Sequence, residues 1–183
     1  MGSYAENSPV PGVRVRYRPR ALKQPVNETL FYKRATFVAH LPVGHRYTAS
    51  HTWMRSVAES PGNWRVGLTK FALRMLGELV EARFEAVPGQ AVRVGDVVGN
   101  IEGFKALSDL FCVVDGTFQR GNPDLDAGLE PLSRDVHHVW LYEITGTPDL
   151  RSLDVHGYVG VLDATIDRML ERQKAAEDHE SSE

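Results

Sequence analysis

Few side chains in this sequence have a type and spacing that could carry chemistry, and the clearest is one lysine. Lys105 lies in the tract Gly99–Phe111, GNIEGFKALSDLF, with no other lysine between Lys70 and Lys174 in a chain that otherwise prefers arginine. A lysine placed on a turn could carry something outward from the fold. Two carboxylates flank it, Glu102 before and Asp109 after. A lysine on a turn is by default a solvated charge, so the surrounding residues must decide.

Other constellations fail at this level. No Ser/His/Asp or Cys/His set and no glycine-rich phosphate loop emerges. His137-His138 with His156 suggest a metal, but adjacent residues of a strand point to opposite faces and cannot chelate one ion together, so no metal site is expected. Cys112 is the only cysteine, which excludes an internal disulfide and a multi-cysteine metal centre. It reads as a small strand residue packed in a sheet.

The elements that must position Lys105 read as short strands. Phe37–Ala39 and Arg46–Val57 are extended, separated by a turn at Leu41–Gly44, and Ser60-Pro61-Gly62-Asn63 joins Trp53–Arg55 to Trp64–Val66 as a hairpin. Thr69 caps a short helix with Ala72, Met75 and Leu76 on one face, and Gly77 ends it. Leu79–Glu85 alternates, with Val80, Ala82 and Phe84 inward. Ala91–Val94, Val97–Ile101, Leu110–Val114 and Thr117–Gln119 are strand pieces between turns at Pro88-Gly89, Gly95-Asp96 and Asp115-Gly116. Lys105 therefore falls at a hairpin tip. A last strand spans His138–Ile144, and Val161, Leu162, Ile166, Met169 and Leu170 recur at helical spacing from Tyr158 onward. The fold class is mainly β: a flattened barrel or sandwich of short antiparallel strands with a short internal helix and a C-terminal helix.

Composition bounds the rest. A chain of 183 residues suits one domain, here expected over residues 41–172, with an N-terminal extension at 1–40 and a charged tail at 173–183. The formal net charge of -3 gives no general attraction to nucleic acid or membranes. Within Val13–Arg34 only Glu28 is acidic against seven Arg and Lys, a basic strip that reads as a solvated edge strand or as a docking strip. No apolar run is long enough to span a bilayer, and with cysteine so scarce a cytoplasmic location and a monomer are expected.

The tract around Lys105 resembles the lipoyl attachment loop of the glycine cleavage system H protein family. The likeness continues in order along residues 41–170. It includes Tyr47-Thr48 with His51 and Trp53, Val66-Gly67-Leu68-Thr69 with Leu76-Gly77, Val87-Pro88-Gly89 with Gly95, Asp115-Gly116, Asn122 with Leu125, Val139-Trp140-Leu141, and Leu153 with Tyr158. The pattern is departed from at Gly103, at Val113 where a proline is usual, and in the residues that precede it. Biotinyl domains use a similar fold but flank their lysine with methionines, where this chain has Phe104 and Ala106.

The resemblance implies a lipoyl-type, H-protein-like fold and a carrier without catalysis of its own. Lys105 would be amide-linked to lipoate by a lipoate ligase or lipoyltransferase, with Glu102, Gly103, Ala106 and Asp109 forming the recognised site. The lipoyl arm would take an aminomethyl group from glycine decarboxylase to the aminomethyltransferase and be reoxidised by dihydrolipoamide dehydrogenase. Asp109 is equally explained by turn chemistry, and His51 and Trp53 by packing; for Cys112, thiol exchange with the lipoyl dithiolane is the alternative to packing. A lipoate carrier of another pathway, such as sulfur oxidation, and an unmodified H-like interaction module remain open at this point.

Overall fold

The structure, a computed structural model, describes residues 28–180. The Arg-rich part of the basic strip and residues 181–183 lie outside the described residues. Six antiparallel strands form the larger sheet, in spatial order β3 (Arg46–Tyr47), β4 (Thr52–Ser56), β5 (Asn63–Leu68), β11 (Tyr142–Pro148), β10 (Val114–Gly121) and β7 (Ala91–Val92). Three more, β6 (Leu79–Phe84), β8 (Val97–Gly103) and β9 (Leu107–Phe111), form a second sheet, and β1 (Thr29–Arg34) pairs with β2 (Phe37–Pro42) as a separate hairpin. The helices are α1 (Lys70–Leu76), α2 (Glu130–Arg134) and α3 (Val155–Glu180).

Strand alternation divides the larger sheet between two cores. Met54 and Trp53 are neighbours on β4 and so face opposite ways. Met54, Val66, Ile144 and Phe118 pack on Val98, Ile101 and Leu110 of the three-stranded sheet. On the other face Tyr47 and Trp53 pack with Phe37 and Leu41 of β2 and with Tyr158, Leu162 and Ile166 of α3. The Trp53 indole occupies the space a Cβ on Gly67 would need, which is why the strand carries glycine there. Arg34 binds this outer layer together through Asp163 at 3.1 Å and Asp167 at 2.7 Å. The result is the mainly β antiparallel sandwich with a short internal helix and a C-terminal helix that the sequence indicates.

Several local expectations hold. Asn63 N–H closes the β4–β5 turn on Ser60 O at 2.9 Å, with Met54 opposite Val66. The Thr69 hydroxyl accepts from Ala72 N–H, and Gly77 ends α1 with φ +80°.

Others are corrected. Met75 is exposed, and Phe71 is buried in its place alongside Leu76, because α1 faces β2 as well as the sheet. A register shift between Leu79 and Glu81 turns Val80 outward and sets Leu79 against the core. Asp115-Gly116 is not a turn but part of β10: an added Cβ on Gly116 would run into Thr145 O, so the glycine serves close strand approach. The piece expected at Leu110–Val114 is β9, ending at Phe111, so it starts directly beyond the lysine loop. The last strand begins at Tyr142, because Asp135 O accepts from His138 N–H and Val139 N–H and holds His137-His138 in a turn. Helix α3 starts at Val155, capped by the Asp154 carboxylate accepting from Gly157 N–H at 2.8 Å, and continues past Arg172. Its buried stripe is Val155, Tyr158, Leu162 and Ile166, with Leu170 exposed. The expected boundaries at residues 40 and 172 therefore fall inside β2 and α3.

Candidate functional site: the lysine hairpin

Strands β8 and β9 converge on Lys105. Their register sets Ile101 opposite Ser108 and Glu102 opposite Leu107. Gly103 N–H donates to Ala106 O at 2.9 Å and Ala106 N–H returns to Gly103 O at 3.3 Å, leaving Phe104 and Lys105 as the two central residues. Neither has a positive φ, so the turn is not one of the primed types whose twist matches that of a hairpin. Something outside the hairpin must hold it.

That support is the end of α1. The last carbonyls of a helix lack partners within it, and Leu76 O accepts the Lys105 N–H at 2.9 Å. Phe104 N–H donates to Glu78 O at 2.7 Å. Two glycines permit the approach: a Cβ on Gly103 would run into Leu76 O, and a Cβ on Gly77 would stand 3.0 Å from Lys105 Cγ. Backbone and stem are thus fixed while the residue itself is exposed.

Each expected site residue sits on this hairpin. Gly103 makes the close contact with α1, and Ala106 closes the turn. Glu102 and Asp109 point from the outer face of the three-stranded sheet, because Glu102 pairs with Leu107 and Asp109 lies two residues beyond Leu107. Glu81 lies opposite Glu102 on the same face, where Arg83 neutralises it at 2.7 Å. Both Glu102 and Asp109 are exposed. Phe104 and Leu107, 85% and 67% exposed, add apolar surface on either side of the lysine.

A groove of about 310 Å³ runs beside the hairpin, between β9, α1 and the turn before β4. Leu68, Ala72, Met75 and Leu107 give it apolar walls, and His51 and Asp109 supply polar edges. Sequence reading assigned Met75 to the buried face and missed the groove, which forms only when β9 and α1 meet. His51 stands before β4 with φ +60°, a left-handed conformation that costs a non-glycine residue about 1 kcal/mol or more. Its Nδ1 lies 2.9 Å from Tyr158 Oη, which itself donates to Thr69 Oγ1 at 2.9 Å. With its proton committed, Tyr158 accepts from Nδ1–H, leaving Nε2 as the acceptor nitrogen. Burial pulls the His51 pKa down to about 4, so the ring is neutral near pH 7. Cys112 is buried and its thiol reaches Val114 O at 3.0 Å. Among the described residues no helix is long and apolar enough to cross a membrane.

Comparison with known proteins matches this chain, over residues 45–154, to the family described as glycine cleavage H-protein. It is 32% identical to the glycine cleavage system H protein of Nitrosospira multiformis, an alignment covering 68% of this chain and 96% of that protein. Against the H proteins of Burkholderia ambifaria and Micrococcus luteus the identities are 32% and 35%, covering 69% and 66% of this chain and 100% and 96% of theirs. The crystal structure of a glycine cleavage system H protein from Mycobacterium marinum superposes with a TM-score of 0.59 at 29% identity, covering 66% of this chain and 97% of that one. The family match stops before α3 and starts after the β1–β2 hairpin, so the outer layer lies beyond it.

Proposed function

Because this chain belongs to the glycine cleavage H-protein family, we propose that it is a lipoyl carrier whose lipoate is amide-linked to Lys105. In this reading a lipoate ligase or lipoyltransferase installs the group. The arm then carries an aminomethyl group from glycine decarboxylase to the aminomethyltransferase, and dihydrolipoamide dehydrogenase reoxidises it. The protein acts by presentation and performs no catalysis of its own.

The observation that carries the proposal is an exposed lysine on a turn whose backbone is tied to α1. A rigid turn presents one amine to a modifying enzyme without the entropic cost of ordering a loop, and the exposed side chain leaves the amine within reach. Glu102 and Asp109 give that enzyme charged features on either side. Once attached, the lipoyl group supplies the disulfide that takes up and releases the one-carbon unit. Tethering holds it near a docked active site at roughly millimolar effective concentration.

The residues beside Lys105 fit such a group. The hydrocarbon of the arm suits the groove walls at Leu68, Ala72, Met75 and Leu107, and His51 Nε2 offers an acceptor to an N–H at its edge. Phe104 and Leu107 give a docking enzyme an apolar rim.

Reconstitution tests the pathway. The lipoylated chain, mixed with purified glycine decarboxylase, aminomethyltransferase, dihydrolipoamide dehydrogenase and tetrahydrofolate, is expected to support glycine-dependent methylenetetrahydrofolate formation, and the Lys105→Arg variant is expected to support none. A lipoylated chain that supports none would move it to another lipoate-dependent pathway.

A further inference from the structure

The outer face of the larger sheet is covered only in part. Beyond Trp53 and Trp140, which pack into the layer formed with β2 and α3, a row of four side chains crosses four strands. Register sets Arg55 opposite Arg65, Arg65 opposite Glu143, and Glu143 opposite Arg120. Directly opposed like charges on one sheet face destabilise it, so Arg55 and Arg65 cost folding energy unless an anion joins them.

The one carboxylate in the row pairs two of its three arginines, and pairs them thinly. Glu143 Oε2 takes Arg65 Nε at 3.5 Å and Arg120 Nη2 at 3.4 Å, both longer than the roughly 2.7–2.9 Å of a well-made charge-assisted bond. Its Oε1 accepts from Asn63 Nδ2 at 3.1 Å. Arg55 makes no ion pair or side-chain hydrogen bond among the described residues, although it is half-buried. Asp135 and Glu59 act on it only through space, and burial followed by Arg65 lowers its pKa. The other two guanidinia are held in place, Arg65 and Arg120 lying 4.9 and 5.5 Å from the Trp140 ring centroid. Preorganised guanidinia lose less entropy on pairing.

We propose that this arginine row is a docking surface for an acidic protein partner whose carboxylates complete the pairing that Glu143 leaves short. The row carries two more positive than negative charges in a chain of net charge -3, so it is a local exception to the molecule's field. A polyphosphate backbone is charged along its whole length and would also lie against the acidic remainder of the chain, whereas an acidic patch on a protein can match the row alone. The row lies outside both the groove beside Lys105 and the surface hollow at Arg93 and Asp96. On an open sheet face a free small anion stays solvated and screened, whereas a protein surface excludes water and strengthens each pair. The face is turned away from the three-stranded sheet that carries the lysine hairpin, so a partner bound here leaves Lys105 free to serve another. The inference is independent of whether Lys105 is modified.

The test is an NMR titration of the isotope-labelled full chain with a poly-L-glutamate peptide, run beside acetate at equal carboxylate concentration. The peptide is expected to move the side-chain signals of Arg55, Arg65 and Arg120 and the Trp140 indole at concentrations where acetate moves none. The apparent affinity should fall by about tenfold in Arg55→Gln/Arg120→Gln, with the spectrum otherwise dispersed as in the parent, and fall again as salt is raised. Equal response to acetate would make the row a small-anion site and overturn the proposal. Shifts confined to residues 13–23, or no shifts at the row, would overturn it as well.

Discussion

The backbone N–H of Lys105 donates to the carbonyl oxygen of Leu76 across 2.9 Å, tying the residue at the hairpin tip to the last residue of α1. The contact uses a carbonyl that the helix cannot satisfy and steadies a turn whose own twist works against its strands. It depends on Gly103, where any Cβ meets that same carbonyl oxygen.

Gly103→Ala should therefore lift the hairpin off α1. The expected cost is about 1–3 kcal/mol of unfolding free energy, the range for overpacking a tight contact. Urea unfolding measures it, and the rate of lipoylation by lipoate ligase should fall with it. Unchanged stability and an unchanged rate would show that the α1 contact does not position the lysine.

Glu102 and Asp109 are exposed, so removing their charge should leave stability within about 0.5 kcal/mol. If they are read by the modifying enzyme, Glu102→Gln and Asp109→Asn should each lower its kcat/KM by about three- to tenfold. An Asp109→Asn variant modified at the parent rate would assign that residue to turn chemistry alone.

Much of this hairpin was legible in advance. The period-two segments, the Ser60–Asn63 turn, the Thr69 cap and Gly77 are local features, and the tip position of Lys105 follows from the strands on either side. What the sequence did not disclose depends on two segments meeting. The phase of β6 was misread because the register shift at Leu79/Glu81 is set by its partner β8. Gly116 resembled a turn residue because a glycine needed for close strand approach looks the same in one dimension. The groove and the arginine row appear only when residues far apart in sequence pair, whereas the left-handed His51 was missed because Arg46–Val57 read as one extended segment and Thr48–Thr52 form a local turn within it. The pairing of β1 with β2 was missed because residues 1–40 were set apart as an extension, although Phe37–Ala39 read as extended; contacts of Arg34 with Asp163 and Asp167, more than a hundred residues away, tie the hairpin to α3.

One buried and two half-buried histidines should make folding acid-sensitive. Burial lowers the pKa of His45, His51 and His137 from 6.5 to about 4, so each binds its proton more readily when unfolded. For His137 both ring nitrogens are buried, and neither has a hydrogen-bond partner among the described residues. The stability they contribute is complete above about pH 6.5 and is lost as pH falls toward 4, at up to about 1.4 kcal/mol per pH unit for each ring. Urea midpoints at pH 7, 5.5 and 4.5 should fall in that order, and less steeply in His137→Gln. A flat profile across that window would contradict the assignment.

Arg34 reaches Asp163 and Asp167 together, but all three side chains are more than a third exposed. Arg34→Met should thus cost only about 0.5–1 kcal/mol, and less at high salt. Hydrogen exchange should rise in β1 and leave β8 and β9 unchanged. Equal acceleration in all three strands would mean that the outer layer and the lysine sheet open as one unit.

The most direct measurement is the intact mass of the chain purified from its own host, followed by peptide mapping. One lipoyl increment is expected, located on the peptide that contains Lys105 and absent from Lys105→Arg. A host-derived protein without that increment, or with it on another lysine, would contradict the carrier assignment.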